Sequence, residues 1–356
     1  MDERLDDNRP RVNIITKRMS HHAKGSGYDR LADYLDGNRI EPVSQWGIGQ
    51  SVVARVLKPF VKNSGTRWYQ RDCMMAELSA AGQWINGNNQ IFHFLYGENS
   101  YRYLGKLKSI KKGNKIIGTF HTPPDKFEDV VTERSHMKAL DGIVVVSTMQ
   151  QEYFSRFVTP ERVFYVPHGI DVEAYQPNAA IKCQQDSGAT RCLFVGSHLR
   201  DLETLSAAAK ILETRLPQLH FTVVTSTSYQ HYLNGLTNID FQTGIAAEAL
   251  LQLYQTADIF VMPLLECTAN NGLLEAMASG MPIVSTDLQG VRDYVNNDCA
   301  VLTPKQDVDS LADVLIELAA NQSKREAMAV ASREKALEFR WENVADEMNR
   351  IYQQLM

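Results

Sequence analysis

The segment Asn270–Glu275 combines amide and carboxylate side chains at a spacing that suits a phosphorylated ligand. A helix that begins at Asn270 or Asn271 directs free backbone N–H groups and the positive end of its dipole outwards, where a phosphate can bind. Glu275 lies four residues after Asn271 on the same helical face, roughly 6 Å further along the axis. This distance matches the one between the diphosphate of a nucleotide and its ribose hydroxyls, so the segment predicts a nucleotide-sugar site. A surface helix with a solvated Glu275 is the alternative.

The flanking residues predict the elements that position this helix. Ile259–Val261 is a buried strand that ends at Pro263, and Ile283–Thr286 starts a second strand after Gly280 and Pro282 have ended the helix. A strand–helix–strand unit of this kind implies a parallel sheet. The polar loop between strand and helix then lies at the carboxyl end of a strand, where open parallel sheets bind ligands. This position favours the binding site over the solvated surface helix.

Size, charge and cysteine content narrow the class of protein. The 356 residues allow about two domains. A hydrophobic fraction of 44% and a charged fraction of 22% are typical of globular proteins, and the net charge of −5 gives no electrostatic reason to expect nucleic acid as a partner. There is no apolar run of 18 residues, and the acidic start Met1–Asn8 predicts no secretory signal peptide. The five cysteines contain no C-x-x-C pair, so we expect reduced thiols in a cytoplasmic protein.

The segment Leu274–Val284 resembles the nucleotide-binding motif of the family 4 retaining glycosyltransferases. That motif has two glutamates separated by seven residues, followed by Ala-Met-Ala-x-Gly-x-Pro-Val. The second half matches closely from Glu275 onwards. In the first half, Cys267 lies eight positions before Glu275, and Glu266 lies one residue further back. Either the loop has one extra residue and Glu266 keeps the family's contact with the donor sugar, or that role has moved.

The resemblance runs from about Val12 to Tyr352 and implies a fold class. It implies the GT-B fold, an α/β architecture of two Rossmann-like domains whose parallel sheets face a central cleft. We expect an acceptor-binding domain over residues 11–172 and a nucleotide-sugar-binding domain over residues 190–338. A carboxyl-terminal helix over residues 339–356 should pack back on the first domain.

The resemblance also implies a cation near the departing diphosphate. The family supplies an Arg and a Lys shortly after the first strand of the second domain, whereas this chain offers Arg200 and no nearby lysine. A fixed cation there would stabilise the charge that develops on the leaving group. We therefore expect Arg200 to be catalytic, with Ser197 or His198 as supporting donors. A surface or capping arrangement of Arg200 with Asp201 is the alternative.

Two amino-terminal features complete the predicted site. His121 follows the predicted strand Lys115–Phe120 and precedes Thr-Pro-Pro, so it should project at the carboxyl edge of the sheet. In the resemblance, this His faces the donor sugar or the acceptor, where an imidazole can bond a hydroxyl or accept a proton. A structural His bonded to the backbone is the alternative. Gly25 and Gly27 form a loop after the first strand that resembles the acceptor-side loop of the GT-B fold, although a plain turn is an equal alternative; Arg30 in place of a third glycine excludes a dinucleotide fingerprint.

The predicted site thus has two groups of residues. Base contacts are expected from the backbone near Ile245. The predicted catalytic residues are His121, Arg200 and Glu266. The predicted donor-binding residues are Gly27, Ser197, His198, Ile245, Asn270, Asn271, Gly272, Leu273 and Glu275.

Asp307 and Asp309 form an Asp-x-Asp sequence like the metal-binding motif of other glycosyltransferases. They directly precede a helix predicted from Leu311, so a helix cap is the favoured interpretation. The GT-B enzymes that the chain resembles need no metal. We therefore expect no metal and no cofactor, with a nucleotide sugar, most simply a UDP-sugar, as co-substrate.

Cations and large apolar residues alternate over Ser51–Arg71, and a second basic run extends from Lys106 to Lys115. Such a face could dock the amino-terminal domain on anionic lipid at the inner face of the plasma membrane. An amphipathic helix that packs on its own domain with a solvated polar side is the alternative. Docking would imply a lipid-linked saccharide as the acceptor.

These features predict a nucleotide-sugar-dependent enzyme, and the family resemblance implies a retaining, metal-independent hexosyltransferase. It would move a hexose from UDP-glucose or another UDP-hexose to a glycan or lipid-linked saccharide in bacterial polysaccharide synthesis, which is a family-level expectation. The altered glutamate spacing and the missing lysine leave open a nucleotide-sugar-binding module without turnover. A nucleotide-sugar epimerase with the same fold is a further alternative.

Overall fold

The structure is a computed structural model that describes residues 10–18, 27–41, 50–178 and 188–356. The predicted arm Met1–Asn8 and Gly25 lie outside these residues. The described chain forms two compact units, the first from residues up to 167 together with 341–356, and the second from residues 168–340. None of the described helices combines the length and the apolar character that spanning a membrane requires.

The first unit is built on a six-stranded parallel sheet with the order β2–β1–β3–β4–β5–β6. Its inner strands are almost continuously buried, as expected for parallel strands that helices cover on both faces. The strands are β1 (Arg11–Ile15), β2 (Asn38–Ile40), β3 (Gln90–Phe94), β4 (Lys115–Phe120), β5 (Gly142–Val145) and β6 (Val163–Tyr165).

The second unit has a six-stranded parallel sheet with the order β12–β11–β10–β7–β8–β9. Strands β7 and β10 are neighbours, and the chain builds outwards from them in opposite directions, which makes this pair the topological switch point of the sheet. The strands are β7 (Thr190–Val195), β8 (Leu219–Val224), β9 (Ile239–Gln242), β10 (Ile259–Met262), β11 (Ile283–Thr286) and β12 (Ala300–Thr303).

Helices and 3-10 helices connect the strands. The α-helices are α1 (Gln50–Lys62), α2 (Arg71–Asn86), α3 (Gly97–Ser100), α4 (Pro124–Val130), α5 (Gln151–Phe154), α6 (Leu202–Arg215), α7 (Ala247–Thr256), α8 (Asn271–Ala278), α9 (Gln289–Arg292), α10 (Val308–Ala320), α11 (Gln322–Leu337) and α12 (Trp341–Leu355). The 3-10 helices are Tyr28–Asp33, Leu104–Ser109, Ser135–Ala139, Thr148–Gln150, Pro160–Arg162 and Thr227–Leu233.

The predicted strand–helix–strand unit is confirmed as β10, α8 and β11. Two short segments are 3-10 helices. The helix that begins at Tyr28 buries Tyr28, Leu31 and Ala32, and a spacing of three residues suits a 3-10 helix. The helix Thr148–Gln150 starts at a capping box between Ser147 and Gln150.

Helix α12 belongs to the first unit and packs through a stripe of buried residues spaced three and four apart. Its first residue, Trp341, packs edge-on against Tyr28 with ring centroids 6.0 Å apart and stacks on Tyr34 at 6.4 Å. Near its end, the Tyr352 hydroxyl hydrogen-bonds Nδ1 of the buried His93 at 2.7 Å. The helix is therefore fixed to the first unit at both ends, and to its sheet near the carboxyl-terminal end.

Candidate functional site

Two loops meet at the carboxyl edge of the second sheet, at its switch point. One follows β7 and the other follows β10, and backbone hydrogen bonds join them. The Asp201 N–H donates to the Pro263 carbonyl at 3.0 Å, and the Leu265 N–H donates to the Leu199 carbonyl at 3.0 Å. Ligands of open parallel sheets bind at this position.

Arg200 lies between the two loops with its guanidinium held at three points. Its Nε donates to the Val195 carbonyl at 3.1 Å, its Nη1 to the His198 carbonyl at 3.0 Å, and its Nη2 to Asn270 Oδ1 at 3.0 Å. Burial lowers the pKa of Arg200, but an arginine stays charged in proteins. The guanidinium lies against Gly196, where φ is +104° and an added Cβ would be 2.7 Å from Nη2, so the site requires glycine there.

The start of α8 adjoins this cation. Asn270 is the N-cap residue, and its Oδ1 accepts from the Leu273 N–H at 3.3 Å as well as from Arg200. The predicted helix start is therefore confirmed. The Leu273 N–H is bonded to the cap side chain, and its role in donor binding stays a prediction. The N–H groups of Asn271 and Gly272 donate to no other group in the described part of the chain. A guanidinium and a helix N-terminus together form a site for an anion.

Glu275 lies one turn further along α8 and is only 4% exposed. The Tyr254 hydroxyl of α7 donates to its Oε2 at 2.8 Å, and the Tyr175 hydroxyl also hydrogen-bonds it. Burial, followed by the charge of Glu275, raises the pKa of both tyrosines. The buried carboxylate excludes the solvated surface alternative, and its oxygens have the capacity to accept further hydroxyl donors.

The loop before α8 shows what occupies the position of the family's first glutamate. Cys267 is buried there, and burial raises the pKa of its thiol to about 12, an effect that the charge of Arg200 opposes. Glu266 is half-buried, and its Oε1 accepts from the Cys267 N–H at 3.0 Å. The Cys267 carbonyl lies so close to Gly290, in α9, that a Cβ at Gly290 would overlap it. Neither Glu266 nor Cys267 hydrogen-bonds Arg200 within the described residues.

The other predicted donor-binding residues of the second unit, Ser197, His198 and Ile245, lie in loops at the same edge of the sheet. Ser197 Oγ hydrogen-bonds Thr225 Oγ1 at 2.9 Å and accepts from the Ser226 N–H at 3.0 Å, so its side chain joins the loop after β8, while its carbonyl accepts from the Arg200 N–H at 3.4 Å. His198 is exposed, and partial desolvation together with the charge of Arg200 lowers its pKa. Ile245, half-buried between β9 and α7, packs against the core of the unit.

The alternative that we gave for Arg200 is not the arrangement observed. Asp201 caps α6, because its carboxylate accepts from the Thr204 N–H at 3.0 Å and from the Thr204 hydroxyl at 2.7 Å. Arg200 turns away to the other loop. The capping interpretation of Asp307 is confirmed, since its carboxylate accepts from the Ser310 N–H at 2.9 Å at the start of α10. Among the described residues there is no cluster of His, Cys, Asp and Glu that could hold a metal ion.

His121 lies at the carboxyl end of β4 in the first unit, as its sequence context predicts. Its Nε2 donates to the Leu95 carbonyl at 2.9 Å, which is the backbone bond of the structural alternative. Its ring packs against Tyr28 and Tyr96, with centroids 4.7 and 4.9 Å away. Gly27, also in the first unit, has φ of +104°, so backbone geometry alone accounts for a glycine there.

Several contacts of the site have no signal in the local sequence. Tyr254 and Tyr175 reach Glu275 from 21 and 100 positions away along the chain, and a single sequence does not connect such residues. Gly196 is the exception, because a glycine directly after the first strand of a Rossmann-like half is a recognisable signal for close backbone approach.

The comparisons with known proteins point to one family. The family model described as Glycosyl transferases group 1 matches residues 189–321. The D-inositol 3-phosphate glycosyltransferase of Corynebacterium urealyticum is 25% identical over 274 residues, which are 68% of this chain and 63% of that protein. The GDP-mannose-dependent alpha-(1-6)-phosphatidylinositol monomannoside mannosyltransferase of Mycobacterium tuberculosis is 25% identical over 260 residues, 65% of this chain and 68% of that protein.

The solved structures agree on the fold. Anabaena Alr3699/HepE in complex with UDP-glucose superposes with a TM-score of 0.67 at 14% identity, covering 96% of this chain and 98% of that one. The predicted GT-B class is thereby confirmed, and identity this low carries the fold alone. The matched segment spans 63% of the length of the Corynebacterium relative. Within this chain, residues 189–321 are the part that matches the group 1 glycosyl transferases.

Proposed function

We propose that the chain transfers a hexose from a nucleoside diphosphate hexose to a hydroxyl of a glycan or lipid-linked saccharide. The observation that carries this proposal is the shared Asn270 side chain. Its Oδ1 accepts from both the Arg200 guanidinium and the first turn of α8, so two positive groups converge at the switch point of the second sheet. Such a pair suits a diphosphate that gains charge as it leaves.

Each proposed role follows from the chemistry of one group. Arg200 and the amides of Asn271 and Gly272 stabilise the leaving diphosphate, and they act on the rate because the charge is greatest in the transition state. Glu275 accepts from the ribose hydroxyls, held in place by its tyrosine partners. His121 bonds a hydroxyl of the transferred sugar or the acceptor. Retention at the anomeric carbon and independence of metal stay predictions from the family resemblance, and we name no enzyme nucleophile.

The donor base is the least constrained part of the proposal. Our sequence prediction is a UDP-hexose, and the GDP-mannose named for the Mycobacterium relative is the second candidate. Thermal unfolding with UDP, GDP, ADP and NAD in parallel separates them. A ligand at about 100 times its Kd adds about 2.7 kcal/mol to stability. A shift with UDP alone supports a UDP-sugar, and a shift with GDP alone changes the donor. A shift with NAD alone, or with none of the four, contradicts the proposed site.

The two other functions considered above predict different products. A binding module without turnover predicts a shift with a nucleotide but no product on any acceptor. An epimerase predicts an isomerised nucleotide sugar without an acceptor. The three-point attachment of Arg200 favours turnover, because binding alone does not require a cation held against the leaving group.

We also propose that the first unit docks on an anionic bilayer through a basic–apolar face. This face is defined as the exposed residues Arg55, Val56, Lys58, Phe60, Lys62, Arg67, Trp68, Lys106, Ile110 and Lys112. Helix α1 packs on its own domain through Leu57, which supports the packed-helix alternative for that side only. On its other side Val56 is 61% and Phe60 is 49% exposed, among lysines.

The two parts of the basic–apolar face are physically joined. The Tyr103 hydroxyl donates to the Phe60 carbonyl at 2.7 Å, and the Tyr103 ring lies 6.1 Å from the Phe60 ring and 5.2 Å from Lys106 Nζ. Exposed apolar groups among cations fit the boundary between lipid headgroups and acyl chains, where each cation adds about 1 kcal/mol on an anionic surface.

Sedimentation with vesicles tests the docking. We expect binding to phosphatidylcholine vesicles that contain phosphatidylglycerol, weaker binding without the anionic lipid, and loss of binding in the Val56→Ser, Phe60→Ser double variant. Val330→Ser in the second unit is the matched control, since Val330 is 60% exposed outside the face. Equal binding by the double variant, or no binding by the wild type, would exclude the bilayer as the occupant.

A further inference from the structure

Glu98, in the short helix α3, is a buried carboxylate that the proposed function does not use. It is 2% exposed, and three donors converge on its Oε1. They are the His121 N–H at 2.9 Å, the Thr122 N–H at 3.2 Å and the Thr122 hydroxyl at 3.0 Å. A side chain of the turn after β3 therefore fixes the backbone of the turn after β4.

The same turn also holds the imidazole of His121. The Leu95 carbonyl accepts from Nε2 at 2.9 Å, so the neutral ring carries its proton on Nε2 and its lone pair on Nδ1. The Tyr96 ring flanks the imidazole at 4.9 Å. Three neighbouring residues of one turn thus contact the backbone and the side chain of His121. Translation and rotation of the ring are both restricted by this attachment.

Packing between α3 and β4 keeps the two turns in register. Gly97 lies directly under the Phe120 ring, where a Cβ would be 2.6 Å from two ring carbons. The Ser100 hydroxyl closes the turn by donating to the Tyr96 carbonyl at 2.7 Å. Glu98 therefore starts from a rigid position, and a movement of its carboxylate would be transmitted to His121.

The second carboxylate oxygen of Glu98 argues against a role in stability alone. Oε2 is buried and has no hydrogen-bond partner among the residues that the structure describes. A buried acceptor without a donor destabilises a fold, and natural proteins keep such groups mainly at functional sites. A charged acceptor does, however, bind backbone N–H groups more strongly than a neutral one.

We propose that Glu98 is a positioning residue for His121. Its carboxylate holds the His121–Thr122 backbone so that the imidazole, in the tautomer set by Leu95, meets a hydroxyl of the sugar or acceptor in a fixed orientation. The proposal rests on the proposed function of His121. It differs from a purely structural role because it predicts a specific effect on the imidazole and on the chemical step.

The test compares Glu98→Ala and Glu98→Gln with Thr122→Val. In Glu98→Ala all three donors lose their acceptor. In Glu98→Gln the amide oxygen can accept all three hydrogen bonds. Thr122→Val removes only the hydroxyl donor. We expect kcat to fall about 100-fold in Glu98→Ala with KM for the donor nucleotide sugar unchanged. Glu98→Gln should restore most of the activity, and Thr122→Val should remain close to the wild type.

An independent readout is the ¹⁵N spectrum of histidine-labelled protein, with the His121 signals identified by their absence in His121→Asn. We expect the imidazole signals to shift or broaden in Glu98→Ala and to return in Glu98→Gln. Unchanged signals, or an unchanged kcat, in folded Glu98→Ala would overturn the proposal. If Glu98→Ala does not fold, Glu98→Asp, which withdraws the carboxylate by one methylene, is read in the same way. An inactive wild type with the expected spectra would contradict the proposed function and leave the positioning intact.

Discussion

At the scale of single residues, Glu275 and its neighbours show which features of the site the local sequence predicts and which it does not. The N-cap at Asn270 and the position of Glu275 on α8 were predictable, because capping and helical spacing depend on residues within one or two turns. The partners of Glu275 were not, since Tyr175 and Tyr254 come from distant parts of the chain. The bond between the Leu273 amide and the cap side chain adds a competitor for that donor, and the role of the amide in donor binding stays a prediction.

Replacing Glu275 by Gln tests the ribose contact. The amide preserves shape and one acceptor oxygen for the tyrosines, whereas Ala would leave two buried hydroxyls without an acceptor and destabilise the protein. Hydrogen bonds to a charged group contribute about 1.5–3 kcal/mol, so the Kd of the nucleotide should rise about 10- to 100-fold. Titration calorimetry measures it, with Glu248→Gln on the exposed face of α7 as the control. An unchanged Kd would rule out Glu275 as the ribose contact.

Replacing Arg200 by Lys tests the leaving-group cation. Lysine keeps the charge but cannot reach the Val195 and His198 carbonyls and Asn270 from a planar fork. We expect kcat to fall about 100-fold, as for the loss of one oriented donor, with a small change in KM. Arg215→Lys, at an exposed ion pair with Asp313, should behave as the wild type. A rise in KM with kcat intact would assign Arg200 to ground-state binding instead.

At the scale of elements, the site depends on loops that follow adjacent strands. The order of the strands was not predictable beyond a parallel sheet, because pairing of β7 with β10 joins residues that a local pattern cannot relate. Once that pairing exists, short backbone contacts fix the loops. The contact of Gly290 with the Cys267 carbonyl fixes the loop before α8 from the side of α9.

Gly290→Ala should therefore weaken nucleotide binding. Its Cβ would overlap the Cys267 carbonyl and lie 2.8 Å from the Thr268 carbonyl, so the loop before α8 must shift. Titration calorimetry should give a higher Kd for the nucleotide than in the wild type, and kcat should fall as well, since a misplacement of about 1 Å can lower the rate about 100-fold. Gly82→Ala in α2 is the control. A Cβ there meets nothing within 4 Å, and alanine should raise the free energy of unfolding by roughly 0.5–1 kcal/mol without changing nucleotide binding. Wild-type affinity in Gly290→Ala would show that the loop position is unimportant.

The contact of β3, β4 and α12 at His93 predicts a pH dependence of stability. His93 hydrogen-bonds Tyr352 and Thr119, and burial, with a smaller effect of His121, lowers its pKa to about 3. Burial and then Arg102 lower the pKa of His136 to about 4. In the unfolded state the histidine pKa is about 6.5. Between this pKa and the lowered pKa of the folded state, the unfolded chain binds more protons, so the free energy of unfolding falls as the pH decreases below about 6.5.

Tryptophan fluorescence measures this effect in the first unit, because no tryptophan lies between residues 168 and 340. Each histidine contributes a slope of about 1.4 kcal/mol per pH unit below its unfolded pKa. Urea unfolding from pH 5 to 8 should give a slope that His93→Asn reduces and that His220→Asn, an exposed position in the second unit, does not change. A slope equal to that of the wild type in His93→Asn would mean that His93 is charged in the folded protein.

At the scale of the whole molecule, the sequence was sufficient for the GT-B class but not for the contacts that tie Val172–Tyr175 to α8. Arg333 Nη1 donates to the carbonyls of Val172, Tyr175 and Ala278, each at 2.8 Å. These bonds hold Tyr175 where it reaches Glu275 and satisfy a carbonyl at the end of α8. Since the three acceptors are backbone carbonyls, no pattern of side chains in the sequence predicts these bonds.

The proposed activity is glycosyl transfer from a nucleotide sugar bound at the switch point of the second sheet. The most direct measurement incubates the purified protein with UDP-glucose or GDP-mannose and a membrane-lipid or oligosaccharide extract, and records nucleoside diphosphate release and product mass together. We expect release of one diphosphate for each hexose added to an acceptor, and loss of both in Arg200→Lys and Glu275→Gln. Nucleotide binding without product, isomerised donor without transfer, or full turnover in both variants would contradict it.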